Sequence, residues 1–398
     1  MPEIDSFRRI VWPLAFAETL IWAATYYSFP ALLLEWERDL GWSKTELSGA
    51  FTLALIVSAV LAPVVGRIID RGYGTYIFTG CGLLSAVLLV LLSGVTALWQ
   101  FYAVWLLLGV GMAGTLYEAT FTVLTRAMGS RRRQAITVVT LVAGFAGTVA
   151  FPGTHTLVGL IGWRGTVRVS AAIVSLIVVP LVWFACHSAA KYGESQASPA
   201  SHKVGEALHI VRGVTFWLLV VGFITIALDH GALLTHLLPL LDERGIQSGV
   251  AVFAASMIGP MQVTGRLLML AVERRVSTLH IFAGCFMAMG IAAISLLNAH
   301  TFPFLLASFV LFQGAGYGVT SIMRPVVTAE LLGHRNFGLI AGFLAVPFMG
   351  ATAAAPTIAA LIWQTGGYDR VIWFAGGMTM IGLVSLLAAA TLSTRRGN

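Results

Sequence analysis

Apolar blocks of about 20 residues, the length that crosses a bilayer's hydrocarbon core, follow one another along the whole chain. Short charged or turn-rich breaks separate them. Within the blocks the apolar pattern is continuous rather than alternating, so they read as buried helices and not as half-exposed strands. Spans are predicted near 10–33, 46–66, 75–96, 99–126, 135–160 and 166–187. The one long polar stretch, "HSAAKYGESQASPASHKVGE", then reads as a linker. Six further spans follow, near 213–241, 248–272, 279–298, 302–329, 336–362 and 370–392. The expectation is an all-α membrane protein with 12 transmembrane helices in two pseudo-symmetric six-helix halves. The N-terminal half covers 1–187, a cytoplasmic linker 188–212 and the C-terminal half 213–398.

Composition agrees. Of 398 residues, 58% are hydrophobic and 10% charged, against about 25% charged in a soluble domain. The net charge of +7 does not point to nucleic acid, because the charges sit in short loops between apolar blocks. Cys81, Cys186 and Cys285 are isolated and imply neither a disulfide framework nor a metal site. "MPEIDSFRRI" lacks a signal peptide's cleavage region, so the first block is expected to stay as a helix. Of the 24 Lys and Arg, 16 fall on one side of the predicted topology and six on the other. The remaining two, Arg266 and Arg324, lie inside spans. The positive-inside rule then places both termini in the cytoplasm.

The halves repeat each other. Asp70-Arg71 meets Glu273-Arg274 at 203 positions on, and Gly80-Cys81 recurs as Gly284-Cys285 at 204. "GVGMAGT" from Gly109 recurs as "GAGYGVT" from Gly314, and Gly162-Trp163 as Gly367-Tyr368, both at 205. With six spans per half the repeats share one topology, an arrangement that puts a substrate site near the midplane between them.

"GRIIDRGYG", Gly66 to Gly74, resembles the loop signature that follows the second helix of major facilitator superfamily transporters. That signature ordinarily continues into a basic run, where this chain has Tyr73, Gly74 and Thr75. The longer string "GWSKTELSGAFTLALIVSAVLAPVVGRIIDRGYG", with "GWR" at Gly162 and "GR" at Gly265, is similar to the branch holding monocarboxylate transporters and oxalate/formate antiporters. The resemblance implies that Gly66, Asp70 and Arg71, with Glu273 and Arg274, form a conformational latch. A turn that merely sets topology is the plainer alternative. It also implies that Arg266 binds the substrate anion, although Gln262 stands where relatives often carry an acid. "AGFAGTVAFPG" in span 5 is faintly similar to the antiporter helix motif, but its small residues serve close packing equally well.

Five ionisable residues besides histidine fall within spans: Glu18, Glu118, Asp229, Arg266 and Arg324. Each is costly in hydrocarbon and should face a bundle interior or a wet cavity. They lie on spans 1, 4, 7, 8 and 10, which line the central path in the family that the chain resembles. Helical spacing groups them with other polar residues. Gln313, Tyr317, Thr320 and Arg324 share a face of span 10, and Gln262 and Arg266 one of span 8. Thr225, Asp229 and His236 share a face of span 7, with His230 about 100° away. Thr115, Glu118 and Thr122 line span 4 beside Tyr117. These stripes predict a hydrated cavity.

Arg324 is expected either to pair with Glu118 or to face the substrate, where a guanidinium grips a carboxylate in bidentate fashion. Tyr117 and Tyr317 lie too deep for an interfacial belt and are read as substrate contacts. Asp229, Glu118 and Glu18 are the carboxyls able to carry a proton, with His230 beside Asp229. For His230 and His236 an interhelical hydrogen bond is the competing role. No metal site is expected, because the side chains of adjacent Asp229 and His230 diverge.

There is no P-loop, and no cofactor is expected. The reading is a secondary transporter of small organic anions of the monocarboxylate type, coupled to protons and working by alternating access in a bacterial-type inner membrane. It is taken to be a monomer with no enzymatic activity. A proton-driven exporter of amphipathic or cationic compounds is the alternative, since three embedded acids outnumber two arginines. A transporter-like ligand sensor is a third.

Overall fold

The computed structural model describes residues 2–192, 210–333 and 337–397. Most of the predicted linker, 193–209, lies outside these residues, as do Lys203 and Arg335, both counted on the inner side. Every regular element among the described residues is helical.

The chain divides into two compact units, Met1–Pro199 and Ala200–Asn398. The first contains α1 (Pro2–Ile21), α2 (Ser28–Leu40), α3 (Lys44–Ile68), α4 (Gly74–Leu92), α5 (Leu98–Ala113), α6 (Tyr117–Met128), α7 (Arg132–Ala143), α8 (Ala146–Ile173) and α9 (Val179–Tyr192). The second contains α10 (Val214–Glu243), α11 (Ser248–Val272), α12 (Thr278–Asn298), α13 (Phe304–Leu332) and α14 (Phe337–Gly397).

Among the described residues, eight helical segments are long and apolar enough to cross a membrane. Three of them, of 49, 60 and 54 residues, are too long for one crossing. Each is broken by a glycine in left-handed backbone: Gly72 (φ 95°), Gly162 (φ 69°) and Gly367 (φ 76°). Glycine takes that conformation without steric cost, so each segment makes two passes. With α1 and α2 as the first pass, the total is 12 spans in two six-helix halves, as the apolar blocks predict.

The repeated motifs are helix contacts. A methyl added at Gly109 on α5 would lie 3.0 Å from Ala54 Cα on α3, and one at Gly111 lies 3.4 Å from the Cys81 carbonyl on α4. In the second half, a methyl at Gly314 on α13 would meet the Ile258 carbonyl of α11 at 2.8 Å, and one at Gly316 the Cys285 carbonyl of α12 at 3.1 Å. The glycine and cysteine repeats therefore mark where three helices of each half touch backbone to backbone, the membrane use of small residues.

A further repeat escaped notice because its charges are exchanged. Arg164 Nη1 meets Asp39 Oδ2 at 2.5 Å in the first half, and Arg244 Nη2 meets Asp369 Oδ1 at 2.5 Å in the second. Both positions differ by 205: Asp39 corresponds to Arg244, and Arg164 to Asp369. The Trp163 indole (2.8 Å) and Arg164 hold the Asp39 carboxyl below its ordinary pKa. The pair's contribution is accordingly present at neutral pH and fades as pH falls through that lowered value. Asp39→Arg or Arg164→Asp alone should each lower stability by about 0.2–1 kcal/mol, the range for exposed pairs. The double exchange, which copies the second half's polarity, should recover part of it: the ion pair returns, but an arginine at position 39 cannot accept the Trp163 indole bond. Thermal melts of the three variants check this, and an unrestored double variant counts against it.

Candidate functional site

In the first half the site is built where two helices lose regularity. The first pass has a π-helical turn at Trp22–Tyr26, beginning one turn after Glu18. Predicted span 4 is one apolar segment, Leu98–Met128, as expected, but its helix is interrupted. It ends as α5 at Ala113 and restarts as α6 at Tyr117, across an extended Leu116 (φ −90°, ψ −172°). At the break the chain tightens, with the Gly114 and Thr115 amides bonding the Gly111 and Met112 carbonyls three residues back, before Leu116 turns extended. The result brings Thr120 in the first turn of α6 against Glu18.

Glu18 is buried, accepts a 2.9 Å hydrogen bond from the Trp22 indole and accepts a second from the Thr120 hydroxyl. Glu118, one side of α6 away and exposed, is near enough to repel it. Trp22 contacts Tyr117 (ring centroids 4.8 Å) and Tyr26 (5.0 Å), and Tyr117 stacks on Phe121 (5.1 Å). Thr122 turns away and bonds its own backbone at Glu118. The first-half site is thus an acidic group inside an aromatic wall.

In the second half α10, α11 and α13 supply the polar groups. The Gln313 amide donates to Asp229 Oδ2 at 2.7 Å, and both residues are buried. One turn along α13, the Tyr317 ring stacks on His230 (centroids 3.4 Å, interplanar angle 8°). Arg266 Nε donates to the Gly318 carbonyl at 2.9 Å. This reach is possible because α11 and α13 touch: a methyl at Gly265 would lie 2.6 Å from Ala315 Cα. Arg266 and Arg324 both act electrostatically on Tyr317. Arg324 also lies over the Phe348 ring of α14, 3.7 Å from its centroid, a cation–π contact. Gln262 is buried one turn from Arg266.

Asp229 and His230 therefore both face α13, but the shared face predicted for Thr225, Asp229 and His236 divides. His236 Nε2 lies 2.9 Å from the Pro356 carbonyl and Nδ1 3.3 Å from the Tyr368 hydroxyl, both on α14. Thr225 bonds the Gly222 carbonyl and packs at Gly382 of α14. A residue pair on one side of an ideal helix still meets two different neighbours when that side lies between them. His236 is a helix–helix tie, not part of the Asp229 cluster.

Asp70, Arg71, Glu273 and Arg274, the expected latch, are all exposed, and Gly66 is half-buried. What grips the loop after α3 is Arg126 of α6, which donates to the Ile69 carbonyl beside a cavity of about 230 Å³. Sequence reasoning counted Arg126 only as a topology charge. It also missed Trp22, legible as Glu18's neighbour at i+4, and Thr120 and Phe348, which carry no such signal. Among the described residues no three His, Cys, Asp or Glu side chains gather as metal ligands.

Residues 14–297 match the Major Facilitator Superfamily. The chain belongs to that superfamily. An MFS-type efflux pump of Mycolicibacterium smegmatis (strain ATCC 700084 / mc(2)155) is 29% identical over 236 residues, which are 55% of this chain and 52% of the pump. The chain thus matches about half of that relative's length. Monocarboxylate transporter 12 of Xenopus laevis is 24% identical over 342 residues, covering 79% of this chain and 73% of the transporter. Among crystal structures, a bacterial homolog of the human lysosomal transporter Spinster, inward-facing and occupied, superposes with TM-score 0.70 at 13% identity. It covers 97% of this chain and 96% of its own. The nucleoside transporter NupG gives TM-score 0.70 at 13% identity, covering 95% and 98%. At those identities the fold is what is shared. Superfamily membership and the long apolar helices make the chain an integral membrane protein of a transporter family.

Proposed function

We propose that this chain carries small organic anions of the monocarboxylate type together with protons, by alternating access of its two halves, as a monomer in a bacterial-type inner membrane with both termini cytoplasmic. The observation that carries the reading is the α10–α11–α13 corner. There, the Arg266 guanidinium is fixed on the Gly318 carbonyl, the residue after Tyr317, while the buried Asp229 carboxyl nearby is held by an amide. A guanidinium fixed through Nε keeps its plane oriented, which favours a planar carboxylate over a point charge. Asp229, bonded by the uncharged Gln313 amide and by no guanidinium among the described residues, supplies the proton-carrying group. The 24% identity to a monocarboxylate transporter supports the same substrate class.

A second reading rests on the first half. An acidic group walled by Trp22, Tyr26 and Tyr117 suits an amphipathic or cationic compound through cation–π contacts, and the 29% identical relative is an efflux pump. The two readings separate in liposomes holding purified protein and an internal pH indicator. Lactate, pyruvate, formate or oxalate added outside should acidify the interior, and lipophilic cations should not compete. If no carboxylate moves protons while a lipophilic cation does exchange for them, the exporter reading replaces this one.

A further inference from the structure

Each half carries one buried carboxyl on its first helix, held by an uncharged donor from its fourth. In the first half this is Glu18 on α1, 2% exposed, bonded by the Thr120 hydroxyl of α6 and by the Trp22 indole. In the second it is Asp229 on α10, 0% exposed, bonded by the Gln313 amide of α13. Spans 1 and 4 correspond to spans 7 and 10 in the repeat, so the arrangement occurs once per half. Asp229 Oδ1 and Gln313 Oε1 have no hydrogen-bond partner among the described residues. A buried acceptor left without a donor is unfavourable, and a proton on Asp229 turns one of its carboxyl oxygens into a donor and removes its charge.

The groups around each carboxyl sharpen the point. Glu118 is the charged neighbour that acts on Glu18, and it repels. Among the described residues no cation bonds either carboxyl. His230 lies next to Asp229 but turns its ring onto Tyr317, and Arg266 and Arg324 act on that tyrosine. A buried ion without a countercharge is costly, so each carboxyl must take a proton from water before its surroundings close and return it to water when they reopen.

We propose that Glu18 and Asp229 each load one proton per cycle, so that two protons accompany each monocarboxylate and one net positive charge crosses. The inference rests on the carboxylate–proton reading above and adds its stoichiometry. The fastest-moving monocarboxylate among lactate, pyruvate and formate serves as probe, with full-length protein in liposomes and the membrane voltage clamped at zero by potassium and valinomycin. A pH gradient of about one unit should sustain roughly 100-fold accumulation with two protons per anion and roughly tenfold with one. Wild type should reach the higher ratio, and Glu18→Gln and Asp229→Asn the lower one. A wild-type ratio of tenfold, or either variant keeping the wild-type ratio, overturns the two-proton count alone. No accumulation of any of the three acids overturns the carboxylate reading and this inference with it. Infrared difference spectra on acidification give a readout independent of uptake: among the signals of the chain's 17 Asp and Glu, one protonating carboxyl band should vanish in Glu18→Gln and a different one in Asp229→Asn, and a folded variant that loses no band overturns the proposal.

Discussion

Arg266→Gln is expected to reduce proton-linked carboxylate uptake by roughly 30-fold or more. Removing one partner of a buried, hydrogen-bonded charge contact costs about 2–5 kcal/mol, and the lower figure is already a factor of about 30. Arg266 is 7% exposed and fixed by its Nε at the Gly318 carbonyl. Glutamine keeps the aliphatic stem and a donor but loses the charge. Arg266→Lys is the sharper control: it keeps the charge and loses the fork and the Nε bond, so it should also transport poorly. The competing role for Arg266 is a strut between α11 and α13. In that case both variants would melt earlier and lose transport of every substrate in proportion. Melting temperature measured beside uptake separates the two. Normal carboxylate uptake by a well-folded Arg266→Gln would remove the anion site from α11.

Much of the fold was legible because membrane spans are written as long apolar blocks, and a duplicated chain writes them twice. The repeats at 204 and 205 positions marked backbone contacts: Gly111 with Cys81, and Gly316 with Cys285. Like-for-like matching missed the Asp39–Arg164 pair, since its counterpart keeps the bond and exchanges the signs. The interruption at Gly114–Leu116 was also invisible, because the matching segment from Gly314 has the same glycine richness and remains helical through α13. In the site, Asp229, Gln313, His230 and Tyr317 were legible as polar residues inside apolar helices, and they meet. His236 was misplaced because periodicity gives a direction on one helix and not the neighbour found there. Thr120 gave no signal at all: a helical threonine ordinarily bonds its own backbone, as Thr115 and Thr122 do.

Gly318→Ala should be the most damaging single-methyl change in the second half. The added carbon would lie 2.6 Å from Gln262 Cα and 2.8 Å from the Gln262 carbonyl carbon, both backbone atoms that no rotamer change can move aside. Helices α11 and α13 must separate, and overpacking of this kind costs about 1–3 kcal/mol. The separation also lengthens the 2.9 Å bond from Arg266 to the Gly318 carbonyl. Stability and carboxylate affinity should therefore fall together, with affinity more sensitive because the guanidinium loses its anchor. Gly284→Ala on the same half's α12 meets nothing within 4 Å and gains helix propensity, so it should melt no earlier than wild type. Melting curves and uptake for the two alanine variants decide the matter. A Gly318→Ala protein as stable and as active as the Gly284→Ala one would mean that the α11–α13 contact yields, and that Arg266 is oriented by something other than the backbone it rests on.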